Sequence, residues 1–157
     1  MAWTTPRTWA VNEQLTAALM NEQVRDKLSY LYDNMQGKLV TGYDYDEDTQ
    51  STTSSSWVDT TISVTVTTTS KCTLLVWAHA YLNSSNSAYT AYAAIHDGST
   101  QILQRSTKSP SPVQEVWSWR VTGQAAGTYT YKLQFKITSG YTAKLDAAEM
   151  LVIAIPE

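Results

Sequence analysis

GTYTYKLQFKI, residues 127–137, is the stretch that decides the fold of this chain. Polar Thr, Lys and Gln alternate along it with apolar side chains, which are Tyr129, Tyr131, Leu133, Phe135 and Ile137. An alternation of period two predicts a β-strand with one buried face and one solvated face. Because similar patterns recur before and after it, the chain is predicted to be mainly β.

Other short segments carry the same strand signal and are separated by turn residues. Strands are predicted at 57–68, 71–82, 88–96, 101–106, 112–121, 142–145 and 149–155. Many short strands divided by turns favour a β-sandwich of two sheets, with a jelly roll as the topology. Segments 71–82 and 149–155 are apolar nearly throughout, which predicts central strands that are covered on both faces.

The segment 9–35, WAVNEQLTAALMNEQVRDKLSYLYDNM, differs because it has the periodicity of a helix. Its apolar stripe recurs at steps of four, four, three and four, through Met20, Val24, Leu28, Leu31 and Met35. This spacing is close to the a/d pattern of a short coiled coil, and Gly37 follows where a helix C-cap glycine is common. An isolated helix of this length is marginal in water, so the stripe needs a partner, either the chain's own β-domain or other chains. We predict an oligomerisation seam, with Trp3 and Trp9 as anchors to a larger particle.

These signals divide the chain into an N-terminal helical arm (1–37), a polar acidic linker (38–56) and a jelly-roll-like β-sandwich head (57–157). The linker contains a run of acids, which are Asp44, Asp46, Glu47 and Asp48. Their spacing resembles the start of an EF-hand loop, but Thr49 stands where that loop needs glycine and Ser55 where it needs glutamate. A solvated acidic loop is therefore favoured, with calcium binding as the alternative.

Composition excludes several classes of partner. The net charge is −3 and the 11 basic residues are scattered, which disfavours nucleic acid, since phosphate binding needs clustered Lys and Arg. The start of the chain has no apolar core of a signal peptide, and no run approaches the about 18 apolar residues of a membrane helix. Synthesis in a cytoplasm without membrane insertion is expected. Cys72 is the only cysteine and is expected to be a buried, inert thiol.

Catalytic patterns are missing from the sequence. His79 and His96 are the only histidines, and no His-x-x-x-His, Cys–His or Gly-x-Ser-x-Gly arrangement occurs. Nothing singles out a pair among the carboxylates that glycoside hydrolysis would use. The prediction is a protein with no enzymatic activity, no cofactor and no metal.

Aromatic residues are the other distinctive feature, with 10 Tyr and 6 Trp. Aromatic faces stack on pyranose rings, so a glycan-binding role is considered for Tyr92, Trp117, Trp119 and Tyr141. The alternative is that aromatic residues at alternating strand positions belong to the sandwich core or to a subunit interface.

The N-terminal segment resembles a signature of tailed-bacteriophage structural proteins. That signature is a Trp, then Gly-Glu-x-hydrophobic-Thr-Ala, then Asn-x-x-Val-Arg-Asp-Asn-Leu. The matching residues here are Trp9, Glu13, Thr16, Ala17, Asn21, Val24, Arg25, Asp26 and Leu28. Asn12 replaces the usual glycine and Lys27 the usual asparagine. The pieces GTYTYKLQFKITSG and MLVIAIPE are similar to the last strands of compact jelly-roll heads on phage fibres and capsid-attached proteins.

This resemblance implies a virion structural protein that is a homotrimer. Its arm would attach to the major capsid protein or another virion protein, and its β-head would face outward. The sequence therefore predicts a capsid decoration or head-fibre protein, made in the host cytoplasm. The alternative is a tail-fibre or baseplate protein that recognises carbohydrate on the host surface.

Overall fold

The computed structural model describes Thr16, Leu28 and residues 39–157. Its strands are β1 (Val40–Asp46), β2 (Gln50–Thr52), β3 (Val58–Thr68), β4 (Cys72–Ser84), β5 (Ala91–His96), β6 (Gln101–Thr107), β7 (Val113–Gln124), β8 (Gly127–Ile137) and β9 (Ala143–Pro156). All of them belong to Val40–Glu157, one of the two compact units into which the chain divides; the other is Met1–Leu39.

The strands form two antiparallel sheets. One sheet, here called the front sheet, has the order β1-β9-β4-β7, and β2 also pairs with β9. The other, the back sheet, has the order β3-β8-β5-β6. From β3 onward, each strand lies in the opposite sheet from the strand before it, except that β5 and β6 are both in the back sheet, and the last strand, β9, returns between β1 and β4. This is the strand order of a jelly roll, so the predicted mainly β sandwich is confirmed.

The core lies between the sheets and is built from the residues that the alternation assigns to one side of each strand. In the back sheet, Ile62, Val64 and Val66 of β3 pack inward beside Leu133 and Phe135 of β8. The opposite side of these strands is rich in threonine. Cross-strand hydroxyl contacts there join Thr65 to Thr130 at 2.8 Å and Thr67 to Thr128 at 3.0 Å. One side of the back sheet is therefore buried in the apolar core, and the other side is polar.

The segment 38–56 is not a linker, and this prediction is wrong. Residues Val40–Asp46 pair along their whole length with β9, and Gln50–Thr52 pair with its beginning. Acidic side chains hold β1 to β3: Asp44 accepts the backbone N–H of Ser63 at 2.9 Å, and Asp46 accepts the Thr61 hydroxyl. The hydrogen bond from Thr61, followed by that from the Asp48 N–H, lowers the pKa of Asp46. These two carboxylates accept hydrogen bonds from the chain itself, and the head begins at Val40 rather than at residue 57.

The C-terminal strand also differs from the prediction, because segments 142–145 and 149–155 form one strand, Ala143–Pro156. Ala147 has a φ of 43°, and the register between β4 and β9 shifts between His79 and Tyr81. A β-bulge of this kind interrupts the alternation of side chains without ending the strand. The gap between the two predicted strands is therefore this bulge.

Candidate functional site: the outward face of the front sheet

The outward side of the front sheet carries ranks of side chains that cross from β1 to β7. The strand register places Tyr45, Glu149, His79 and Val116 in one rank, Tyr43, Leu151, Trp77 and Ser118 in the next, and Thr41, Ile153, Leu75 and Arg120 in a third. Most of these side chains are apolar or aromatic. We call this surface the apolar face.

The apolar face is open to solvent. Tyr43 is 57% exposed, Tyr45 61%, Trp77 38% and Val116 42%. Large side chains normally leave water when an element is available to cover them. Here the inward side of the same strands is fully packed against the back sheet, with Leu74, Val76 and Met150 buried. The front sheet is therefore apolar on both sides, although the described strands of the head cover only one.

A polar cluster interrupts the apolar face near the β1 edge. The Tyr43 hydroxyl donates to Glu149 Oε2 at 3.0 Å, and His79 Nδ1 lies 3.8 Å from Glu149 Oε1. The hydrogen bond to Glu149 is the main cause that raises the pKa of Tyr43. The His79 ring stacks on Trp77 with a centroid distance of 6.3 Å and meets the edge of Tyr81 at 5.1 Å. These contacts fix the imidazole within the sheet surface.

The groups of this cluster can donate and accept hydrogen bonds and can exchange protons. The cleft around it is lined by Tyr43, Tyr45, Asp46, Glu47, His79, Ala147, Ala148 and Glu149, a set that includes no serine, threonine or cysteine nucleophile. Over residues 39–157, no three His, Cys, Asp or Glu side chains lie close enough together to share a metal ion. The described part of the chain also has no helix that is long and apolar enough to cross a lipid bilayer.

The residues predicted to bind glycans do not form one site. Trp117 is 0% exposed in the core, so its indole cannot stack on a sugar, and that prediction is wrong. Trp119, two residues later, lies at the open edge of the front sheet on β7. Tyr141 lies in the loop before β9, with its ring centroid 4.2 Å from that of Tyr89. Tyr92 lies on the outward side of the back sheet, where Lys136 Nζ is 5.4 Å from its ring centroid.

The predicted anchoring and seam residues Trp3, Trp9, Met20, Val24, Leu31 and Met35 lie outside the described residues. Leu28 is described and its side chain is 60% exposed. The residues of the apolar face were not predicted as a site. Their signal in the sequence is the nearly continuous apolar character of segments 71–82 and 149–155, which predicts strands covered on both faces.

No protein-family model matches the chain, and no curated protein is similar to it. Solved structures are similar in fold. The structure described as Eiger TNF from S. frugiperda aligns with a TM-score of 0.51 and 14% identity, over 76% of this chain and 95% of that one. This likeness supports the jelly-roll-like β-sandwich and says nothing about activity.

Two other solved structures are less similar. A protein of Bacillus endospore appendages, described as disulfide-linked pili, gives a TM-score of 0.39 at 8% identity over 77% of this chain and 93% of that one. The CBM36-1 domain of a multidomain xylanase from the hindgut metagenome of Trinervitermes trinervoides gives 0.33 at 12% identity over 70% of this chain and 95% of that one. The class of the protein is thus set by its own strand order, as a jelly-roll-like sandwich.

Proposed function

We propose that this chain is a non-enzymatic structural protein of a tailed-bacteriophage virion. It is a homotrimer that decorates or projects from the capsid, attached through its N-terminal arm to the major capsid protein or another virion protein. The β-sandwich faces outward, and the protein is made in the host cytoplasm. The phage-like signature in the N-terminal segment supports the virion, and the apolar face supports assembly from several copies.

The single observation that carries this proposal is the size of the apolar face. A buried aromatic side chain accounts for about 150–250 Å² of surface, and on the apolar face Tyr43 is 57% exposed, Tyr45 61% and Trp77 38%. The three rings alone therefore present about 300 Å², and the aliphatic residues between them extend the area. A specific interface takes about 800 Å² from each partner, so the apolar face supplies a large part of one.

The arm contributes the second part of the proposal. Its apolar stripe, formed by Met20, Val24, Leu28, Leu31 and Met35, would form the trimer seam, with Trp3 and Trp9 against the particle. Many weak contacts made by three linked copies raise the effective affinity for the shell. The mechanism is mechanical, without a chemical step.

The first test measures the mass of the full chain by size-exclusion chromatography with light scattering, together with its binding to undecorated phage particles. We expect three times the 17.5 kDa chain mass and saturable binding. Leu28→Asp with Leu31→Asp should abolish the trimer or the attachment. The matched control, Gln23→Asp with Ser29→Asp on the predicted polar side of the helix, should leave both unchanged. A stable wild-type monomer without affinity for particles would refute the proposal.

A tail-fibre or baseplate protein that binds host glycans is the second candidate. It is favoured by an aromatic pair on the outward side of the back sheet, Trp57 and Tyr92. Lys136 Nζ lies 4.5 Å from the Trp57 ring centroid and 5.4 Å from that of Tyr92. Binding on a glycan array that is lost in Tyr92→Ala and retained in Tyr141→Ala would favour this candidate. Silence on the array, with binding to empty capsids, would favour decoration.

A further inference from the structure

The apolar face has two unlike ends, and the first is a ridge. Tyr43 and Tyr45 project from β1, the edge strand, and their rings stack with centroids 5.9 Å apart and planes inclined by 25°. They are among the most exposed large side chains of the described head. We call this pair the tyrosine ridge.

The second end is a groove of about 380 Å³ that extends from β9 across β4 to β7. Its lining is mainly Leu75, Trp77, Trp119, Arg120, Leu151 and Ile153. We call it the tryptophan groove. Neighbouring strands are about 4.8 Å apart, so the groove reaches the β7 edge about 14 Å from β1. A Tyr43 ring therefore cannot fill the part of the groove beside Trp119 in its own chain without leaving β1.

The two ends have opposite charge. The cleft beside the tyrosine ridge contains the carboxylates of Glu47 and Glu149. The tryptophan groove contains Arg120, and none of the ion pairs within residues 39–157 involves this guanidinium. An acidic ridge and a basic groove on one surface attract each other between copies, whereas ridge against ridge or groove against groove brings like charges together.

We propose that the tyrosine ridge of one copy docks into the tryptophan groove of the next copy. The inference rests on the proposed self-assembly and specifies its geometry. Because the two patches are different parts of the same face, the contact is heterologous, meaning head to tail, and such contacts close into a ring when the rotation per copy permits. In a trimer each copy gives one ridge and receives one, so all three grooves are filled. Arg120 then meets the acidic side chains beside the incoming ridge.

The contact can be tested by cross-linking of full-length chains in which Cys72 is replaced by alanine. Thr41→Cys combined with Ser118→Cys places one thiol on β1 beside the ridge, with both tyrosines kept, and one beside the groove of every copy. A short bis-maleimide should then produce a ladder that ends at the covalent trimer. The matched control, Thr67→Cys with Ser118→Cys, moves the first thiol to the polar side of the back sheet and should stay uncross-linked. Thr41→Cys alone should also stay uncross-linked.

A pair of charge variants tests the energetics of the same contact. In the free chain, the new side chains of Tyr43→Lys with Tyr45→Lys lie beside the acidic cleft and are well accommodated. In the docked trimer they would place buried positive charge next to Arg120. The dissociation constant of the trimer should rise by roughly 100-fold or more, since unpaired buried charge is costly. Thr65→Lys with Thr67→Lys, two residues apart on the edge strand β3, should leave it unchanged.

The outcomes separate the two proposals. If the wild-type chain is a trimer but the Thr41→Cys with Ser118→Cys chain cross-links no more than the control, or if Thr41→Cys alone cross-links, the ridge-to-groove contact is overturned and the structural role stands. Cross-linked trimers without affinity for phage particles support the contact and overturn the virion role. Coverage of the apolar face by residues 1–39 of the same chain, or by a different virion protein, would appear as an uncross-linked full chain and would overturn the contact.

Discussion

Replacing Gly42 with alanine tests whether β1 packs against β3 as the structure describes. A Cβ atom at this position would lie 2.5 Å from Val64 Cγ1, 3.1 Å from Val66 Cγ1 and 3.2 Å from the Thr65 carbonyl oxygen. Val64 and Val66 are each 2% exposed and are stiff at χ1, so they have no free space to move into. The alanine variant must therefore lift β1 away from β3.

The expected cost follows from what is known of overpacked cores. An extra methyl group forced into a closely packed site costs about 1–3 kcal/mol. Gly127→Ala is the matched control, because a Cβ there would meet only Tyr129 atoms, at 3.7 Å or more. The backbone conformation at Gly127 allows alanine. Gly127→Ala should therefore leave the free energy of unfolding unchanged or raise it by about 0.4–1 kcal/mol, because alanine has fewer conformations in the unfolded chain.

The assay is urea unfolding of both variants and the wild type at one fixed protein concentration, because self-association adds to apparent stability. The midpoint of Gly42→Ala should fall with little change in the slope, and that of Gly127→Ala should stay or rise. Equal midpoints for the two variants would refute the packing of β1 on β3. Residues 40–46 would then behave as the linker that their composition suggested.

Three further changes have defined outcomes. Burial raises the pKa of Tyr131 to about 12. The free energy of unfolding should therefore fall by at most about 1.4 kcal/mol per pH unit as the pH rises from about 10 to 12. A pH series on Tyr131→Phe should lack this loss. Hydrogen bonds, of which the one from Lys71 is the most important, lower the pKa of the Glu157 carboxyl from 4.5 to about 2. The stability that the ionised carboxylate contributes to the fold is therefore present above pH 4.5 and is lost as the pH falls toward 2. Acid titration of Glu157→Gln should show no such step. Trp117→Ala should cost about 3–5 kcal/mol in urea unfolding, as expected for a large core residue.

Strands that alternate cleanly could be predicted from the sequence almost to the residue. The predicted strand 127–137 is observed as Gly127–Ile137, and 57–68 as Val58–Thr68. In both, threonine or another polar residue faces water at every second position, so local pattern and packing agree. Periodicity was sufficient here because one side of the back sheet is covered and the other is not.

β1 and β2 could not be predicted, because their composition is that of a loop. After Val40, the inward side of β1 carries Gly42, Asp44 and Asp46 instead of aliphatic residues. Gly42 is needed where β1 crosses β3, and the two carboxylates accept hydrogen bonds from that strand. Inward-pointing charge is a device that protects edge strands from pairing with other chains. A sequence pattern based on apolar alternation does not detect such a strand.

The aromatic residues of β7 show why site residues are harder to predict than strands. Trp117 and Trp119 have the same parity, and sequence reasoning gave them the same role. Trp117 is paired with Ala78 and lies in the core, whereas Trp119 is paired with Val76 where the edge of the sheet opens to solvent. The difference depends on how far the back sheet extends over β7, which no local pattern records.

The apolar runs 71–82 and 149–155 predicted strands covered on both sides, and the structure covers only one. The other side carries Leu75, Trp77, Leu151 and Ile153, which the back sheet cannot reach because it lies across the core. The two layers of the jelly roll leave this apolar side without a partner in the described head, while the back sheet faces water with threonine. A second copy on the apolar face would account for both patterns at once. In that case the sequence predicted the burial correctly, and the error lay in assigning it to a single chain.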